Sequence, residues 1–407
     1  MEKSSQNLSI RWFYLVVGVI AMLFAGIIYA WSILKAPLES AFGWAADATA
    51  LNFTLTMCFF CIGGVVGGLL AKRLGVRLSL ILAAVLAFVG FFLTSRLTGN
   101  VGMLYVSYGV ITATGIGLAY NVVISTVSAW FPDKKGTCSG ALMMGFGASA
   151  LVLGNLSSAL IESPSVGWQT TFLILGIALG VVLLLAGLIL RQPAPGTPLP
   201  QPQPKKQSKD EGFTVQDLTP GQMVRRFTFW RAFICIVFLS AVGNSVISFA
   251  RDLAISVGAE AALATTLVGI LSVCNGLGRI AIGAIFDIIG RRKTMLLANL
   301  IAIVAAAVTL ASVFTGSVPL CIVGLCVTGV SYGACPTISS AFTSAFYGTK
   351  HFSVNFSVMN FNLMGASFIA TASSLLLKNS GGYIAPFAML LALAVVALVL
   401  NVSIRRP

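Results

Sequence analysis

Charge is scarce in this chain of 407 residues: Asp, Glu, Lys and Arg together make up 9%. A soluble domain carries about 25%, so most of the sequence cannot form a water-facing globular surface. Acids are the scarcest charges. They number eleven, at Glu2, Glu39, Asp47, Asp133, Glu162, Asp210, Glu211, Asp217, Asp252, Glu260 and Asp287. Histidine occurs once, as His351. No cluster of metal-ligand spacing and no nucleophile triad arises in the apolar segments, so an enzyme is disfavoured and no cofactor or metal is called for.

What is abundant is apolar surface: 57% of residues are hydrophobic and the mean hydropathy is +0.97. A membrane span needs roughly 20 apolar residues. Twelve runs qualify: 12–33, 50–71, 78–95, 101–130, 137–160, 168–190, 228–250, 263–286, 294–314, 318–344, 353–377 and 383–404. The runs are continuous rather than alternating, and lipid-exposed spans must satisfy their backbone internally. They are read as helices of an all-α membrane protein whose environment is the lipid bilayer. The N-terminal tail MEKSSQNLSIR leads into a full-length run, unlike a cleaved signal. CFFC at Cys58–Cys61 has redox-like spacing but falls mid-helix, and reads as small apolar packing. GFGASA at 145–150 follows no strand, so a dinucleotide loop is excluded. Like GGVVGG at 63–68, it reads as close helix packing.

The formal charge of +14 raises nucleic acid as a partner, but no basic block is interleaved with aromatics. The distribution points to a membrane instead. With both termini in the cytoplasm, 20 of the 25 Lys/Arg fall on the cytoplasmic side, four fall outside (Lys35, Arg96, Arg251, Lys378) and one, Arg279, lies inside a span. That is the positive-inside distribution, and in a bacterial cell it places the chain in the inner membrane.

Residues 191–226, RQPAPGTPLPQPQPKKQSKDEGFTVQDLTPGQMVRR, hold seven of the 14 prolines. They read as a cytoplasmic linker, partly extended, with a short helix around 214–226. The linker divides the spans into a six-helix bundle over 1–190 and another over 227–407. The halves echo each other: Gly68-x3-Lys72-x2-Gly75-x-Arg77 recurs as Gly283-x3-Asp287-x2-Gly290-Arg291-Arg292, offset by 215 residues. A helix ending in a charge, a glycine for an unusual turn and basic residues at the membrane face make a tight hairpin. Twelve spans in two pseudo-symmetric halves with this motif resemble the major facilitator superfamily. In such folds the halves rock about a central site near the midplane. Lys72 departs from the pattern, which has an acid there.

Arg279 is the one charge set deep in a span. It lies eight residues before Asp287, about 12 Å along a helix, near the middle of a roughly 30 Å core. A charge there costs at least ~2.5–3.5 kcal/mol, and such residues usually line a pathway. A buried ion pair would need an acid at the same depth, and none of the eleven acids falls in the central part of a span. The arginine stays protonated, so an anionic ligand is the expected partner. A guanidinium grips one carboxylate with two parallel hydrogen bonds. Asn275 sits one turn earlier on the same face, where it either contacts the ligand, orients Arg279 or only satisfies backbone.

A closer resemblance follows from RWFYLV at 11–16, Tyr29-Ala-Trp-Ser, Tyr120 ahead of WFPDKKGTCSG at 130–140, and SYGACP at 331–336. These resemble the oxalate/formate exchanger branch of the superfamily, related to the proton-coupled monocarboxylate transporters. The aromatic–Phe, paired-basic, glycine pattern is similar to that of the monocarboxylate family entering helix five; its acid–Gly–Trp run entering helix one is absent. The resemblance implies that Arg279 binds carboxylate and that Tyr29, Tyr120 and Tyr332 line the cavity, although buried tyrosines find partners in ordinary packing too. It also implies a lysine in helix eleven where oxalate is carried. Leu363 stands there, which favours a monocarboxylate such as lactate or pyruvate. Monocarboxylate transporters keep an acid one turn before their arginine; Asn275 stands there, so a proton would need another carrier. Asp252, beside Arg251 after helix seven, is the candidate, with a solvated loop acid as the alternative. His351 reads as a loop histidine.

The expected function is secondary transport of a small monocarboxylate with a proton, by alternating access, without a required protein partner. A proton-independent carboxylate exchanger is the alternative within the same class. A channel or a sensor is less favoured, since the linker is too short for a signalling domain.

Overall fold

Twelve helices are long and apolar enough to cross a bilayer in this computed structural model, which describes residues 2–44, 46–194, 196–200 and 217–404. They are α1 (Ser9–Ala30), α2 (Leu51–Arg73), α3 (Gly75–Ser95), α4 (Val101–Ser128), α5 (Gly136–Glu162), α6 (Gly167–Ile189), α7 (Phe227–Ser256), α8 (Thr266–Ile289), α9 (Arg291–Thr315), α10 (Val318–Tyr347), α11 (Phe352–Ser380) and α12 (Ile384–Val402). Their edges lie within a few residues of the apolar runs. Several depart from regular helix in ways no apolar run announces. The end of α1 tightens to a 3₁₀ turn at Gly26–Ala30, and helix resumes at Trp31–Phe42. A π-helical segment at Tyr105–Thr112 widens α4. Phe249 breaks α7 (φ −134°, ψ 18°), and α11 is interrupted at Phe361. Kinks of this kind arise where side chains or extra residues enter the helical ladder.

Helices α1–α6 pack mainly on one another, as do α7–α12, and the halves meet along two seams: α5 against α8 and α10, and α2 with α4 against α11. The outward faces are apolar, as lipid contact requires. On α8, Leu277 is 57% exposed and Arg279 1% exposed, two positions apart; the helix turns its leucine to lipid and its arginine to the seam.

The repeated motif forms the same turn twice. Gly75 and Gly290 adopt φ of +80° and +75° between α2 and α3 and between α8 and α9. Glycine takes this conformation without a Cβ penalty. The N-terminus, the linker and the loops after α2, α4, α8 and α10 share one face of the molecule. Arg11 pairs with Asp133 there at 2.9 Å, and the Trp130 indole donates to the Arg191 carbonyl.

The linker differs from expectation in one respect. Residues 201–216, including the start of the helix expected over 214–226, lie outside the described residues. The helix that forms is shorter, Pro220–Val224, closed by a capping box between Thr219 and Gln222. It ends because Arg226 turns extended to begin α7. Leu218 is buried, and its N–H donates to the Tyr347 carbonyl at 3.1 Å.

Candidate functional site

Arg279 sits on the α5–α8 seam, where small residues let the helices touch. A Cβ on Gly140 would lie 2.8 Å from the Arg279 carbonyl oxygen, and one on Gly147 would lie 3.1 Å from the guanidinium carbon and Nε. These glycines are two turns apart on one face of α5, the spacing by which helices in lipid approach closely. Gly283 meets Gly136 on the same seam, where a Cβ would lie 2.7 Å from the Gly136 carbonyl oxygen.

The guanidinium is held by neutral groups. Its Nε donates to the Asn275 Oδ1 at 3.1 Å, and its Nη1 donates to the Met143 carbonyl of α5 at 2.6 Å. Nη2 is buried with no hydrogen-bond partner among the described residues. No described carboxylate forms an ion pair with it; the pairs found are Arg11–Asp133 and Lys35–Glu39. The Tyr29 ring lies 6.0 Å from the guanidinium carbon.

Aromatic rings from both halves surround this charge. The Tyr29 and Tyr332 hydroxyls are 3.2 Å apart, one donating to the other across the halves. Phe146 on α5 contacts both Tyr29 (5.2 Å between centroids) and Tyr120 (5.0 Å). Tyr120 in turn meets Phe60 at 5.0 Å and stacks on Phe356 of α11 at 6.3 Å. Sequence reading named Arg279, Asn275, Tyr29, Tyr120 and Tyr332, and the structure brings all five into this one cluster. It did not place Phe60, Phe146, Phe356 or the Met143 carbonyl at the site, and it read Gly147 only as part of the close-packing run GFGASA at 145–150. The Gly140–Gly147 spacing was the available signal for that face of α5; a backbone carbonyl leaves none.

Asp252 is elsewhere. It is exposed near the end of α7, beyond the break at Phe249 and beside Tyr383, whose hydroxyl is pushed up to about 12 by burial and by the Asp252 carboxylate. The repeated motif frames the linker face. Asp287 accepts the Thr137 N–H and hydroxyl, both at 3.2 Å, and so caps the start of α5. Arg291 lies over the Phe346 ring at 3.9 Å. Lys72, at the equivalent place in the first half, is exposed. Gly68 lies against α11, where a Cβ would be 3.1 Å from the Ser353 hydroxyl. His351 is half-buried at the start of α11.

Contacts between the halves flank the site on both sides. Toward the linker face, the Asn121 amide donates to the Gly64 and Ser353 carbonyls (2.7 and 3.0 Å) and to the Ser357 hydroxyl, joining α4, α2 and α11. Toward the other face, the Thr54 and Thr371 hydroxyls meet at 3.2 Å.

The model of the Major Facilitator Superfamily matches residues 14–371, and again 233–407. The chain belongs to the major facilitator superfamily. Among relatives within it, the oxalate:formate antiporter of Oxalobacter formigenes is 28% identical over 299 residues, 72% of this chain and 67% of that protein. The uncharacterised MFS-type transporter YhjX of Escherichia coli is 27% identical over 358 residues, 86% and 84%. A mouse protein, monocarboxylate transporter 12, is 36% identical over a shorter stretch of 104 residues, 25% and 20%. The fold matches the proton:xylose symporter XylE with a TM-score of 0.73 at 14% identity, covering 97% of this chain and 95% of that one. As a superfamily member the chain is a multi-pass membrane transporter, not an enzyme, with Arg279 at the meeting of its two halves.

Proposed function

We propose that the chain carries a small monocarboxylate by alternating access, with Arg279 as the anion anchor. The carrying observation is the buried Arg279 Nη2, which has no partner while Nε and Nη1 are held only by an amide and a carbonyl. A lone charge at this depth is costly, and a carboxylate would neutralise it and accept from the free Nη2 N–H groups. Tyr29, Tyr120 and Tyr332 would supply hydroxyls and bulk around a small acid, and Asn275 orients the guanidinium. Leu363, buried on α11 where the exchanger pattern has a lysine, leaves one cation for one carboxylate. Lactate and pyruvate fit that count. The positive-inside distribution supports placing the basic linker face and both termini in the cytoplasm, with the chain in the cell's inner membrane as part of this proposal.

Neutralising Arg279 lowers the cost of moving the charged seam through apolar surroundings, which lets the two halves, 1–190 and 227–407, joined by the 191–226 linker, rock about the central site. One proton accompanying one anion makes the cycle electroneutral. The 28% identity to an oxalate:formate antiporter favours one other reading, proton-independent exchange. Uptake of labelled lactate into proteoliposomes separates the two. Symport gives saturable uptake driven by an acidic exterior and indifferent to imposed voltage. Uptake that ignores the proton gradient but requires internal carboxylate makes the chain an exchanger. No saturable uptake of any small monocarboxylate would overturn the substrate class.

A further inference from the structure

A cavity of about 1100 Å³ opens on the linker face, between the loops that follow α2, α4, α8 and α10. Arg279 does not line it. Three ammonium groups do, those of Lys72, Lys134 and Lys350, together with two carboxylates, Asp133 and Asp287. Both carboxylates have other work. Asp133 is paired with Arg11 at 2.9 Å, and Asp287 accepts from Thr137 at the start of α5. The ammonium groups are less committed. Lys134 lies over the Trp12 ring at 5.8 Å, and neither Lys72 nor Lys350 forms an ion pair with a described residue. Asp217 is outside the cavity; its Oδ1 accepts the backbone N–H groups of Thr349 and Lys350, and its charge also attracts the Lys350 ammonium without forming an ion pair. The cavity is therefore a concave basin with surplus positive charge.

Pseudo-symmetry sharpens the point. Lys72 occupies the place that Asp287 takes in the second half, 215 residues on. Asp287 caps the helix of the opposite half; Lys72, a cation, cannot accept N–H groups in that way and lines the basin with Lys350. The floor there is Gly68 and Ser353, part of the α2–α4–α11 contact held by Asn121. Beyond that contact lie Phe356 and Tyr120, then the ring cluster around Arg279.

We propose that this basin is a second anion site, a low-affinity staging site for small organic carboxylates held by Lys72, Lys134 and Lys350. It rests on the reading of the chain as a carboxylate carrier. Charges lining a concave, partly apolar site concentrate counter-ions and raise encounter rates about tenfold or more. The ammonium groups are exposed, so the effect is screened over roughly 10 Å at moderate salt. Anions are collected on this face and delivered to Arg279 when the Asn121 contact opens.

The test reads the basin without requiring transport. In purified protein in nanodiscs, lysines are acetylated with an amine-reactive reagent and each site is followed by mass spectrometry. L-Lactate should slow labelling of Lys72 and Lys350 by about twofold at half-occupancy, relative to Lys378 on the opposite face. Lactamide, its neutral analogue, should not, and sodium chloride at equal ionic strength should do so less. Equal labelling of Lys72, Lys350 and Lys378 with and without lactate overturns the proposal. Protection without any saturable lactate uptake would sustain the basin as an anion site while overturning the carrier reading. In transport, Lys72→Glu with Lys350→Glu should raise the KM measured from the linker face about tenfold and flatten its salt dependence, leaving the KM from the other face unchanged. An equal rise from both faces would also overturn it.

Discussion

Arg279 Nη1 lies 2.6 Å from the Met143 carbonyl oxygen, so the buried charge of one half rests on the backbone of the other. That carbonyl is a weak substitute for an anion: it is neutral and already belongs to the α5 ladder. A carboxylate reaching the guanidinium would compete with it, since it adds full charge attraction and a bidentate geometry that a neutral carbonyl lacks. Under the proposed function, binding and release of the α5–α8 contact would thereby be coupled through one side chain.

Replacement by an apolar residue of similar length separates the two roles. Arg279→Met should abolish saturable lactate uptake, because each lost hydrogen bond to a charged group is worth about 1.5–3 kcal/mol. The same change removes a buried charge that has no acid partner, so the melting temperature in detergent should stay level or rise. A large drop in melting temperature would mean that Arg279 is a structural pin rather than an anchor for substrate.

Two glycines of α5 should report separately on anchor and seam. Gly147→Ala puts a methyl group 3.1 Å from the guanidinium carbon, which displaces the fork and should raise the KM for lactate with little change in stability. Gly140→Ala instead meets the Arg279 backbone at 2.8 Å. Backbone yields less readily, and overpacking of this kind costs about 1–3 kcal/mol. Gly140→Ala should therefore lower the melting temperature, and spin-label distances should show α5 and α8 parting. Identical behaviour of the two variants would contradict this assignment.

Asn121 is the polar clasp of the other seam. Asn121→Ala removes an amide whose two N–H groups are shared among Gly64 of α2 and Ser353 and Ser357 of α11. With buried hydrogen bonds worth about 1 kcal/mol each net, the balance should shift roughly tenfold or more toward a state open on the linker face. Spin labels at the linker-face ends of α2 and α11 would show it as a longer distance population.

Much of the fold was legible in the sequence because lipid imposes one solution. A continuous apolar run must be a helix, and Gly75 and Gly290 could be matched by spacing alone. Arg279 stood out for the same reason, as a charge where charge is costly. The interruptions were not legible: the π-helical segment at Tyr105–Thr112 and the breaks at Phe249 and Phe361 depend on packing between helices, and their local composition resembles that of regular spans. The site showed a similar division. Asn275 follows from helical periodicity, but Met143 takes part through its carbonyl, and Phe60 and Phe146 look like any phenylalanine in a span. Asp252 was chosen for its chemistry and its place near α7; tertiary structure puts it on the surface.

Asp217 ties the linker to the loop before α11, and its behaviour with pH is fixed in sign. Its carboxylate accepts the Lys350 and Thr349 N–H groups at 3.0 and 2.9 Å. The Lys350 N–H, foremost, holds its pKa below the usual carboxylate value. A lowered native pKa gives stability that is present above the unfolded value of about 3.9 and is lost as pH falls through the native one. Hydrogen exchange at Thr349 and Lys350, corrected for intrinsic rates, should be protected at neutral pH and lose protection only below about pH 4. Asp217→Asn should exchange faster at neutral pH with no such transition. Protection unchanged in the variant would remove Asp217 from the contact.

Asp252 is the candidate proton carrier of the proposed symport, and its placement makes that role demanding. The carboxylate is exposed at the end of α7, and the Phe249 break separates it from the regular part of the helix. A swing about that break is the movement that would bring Asp252 toward α8, and a carboxylate approaching Arg279 would compete with substrate unless protonated. Protonation and substrate binding would then occur together, as symport requires. Asp252→Asn imitates the protonated form permanently. It should keep exchange of labelled for unlabelled lactate, which needs no net proton movement, and lose accumulation driven by an acidic exterior. Full gradient-driven accumulation in Asp252→Asn would move the proton to another group. Loss of exchange together with accumulation would make Asp252 part of the gate rather than the proton carrier.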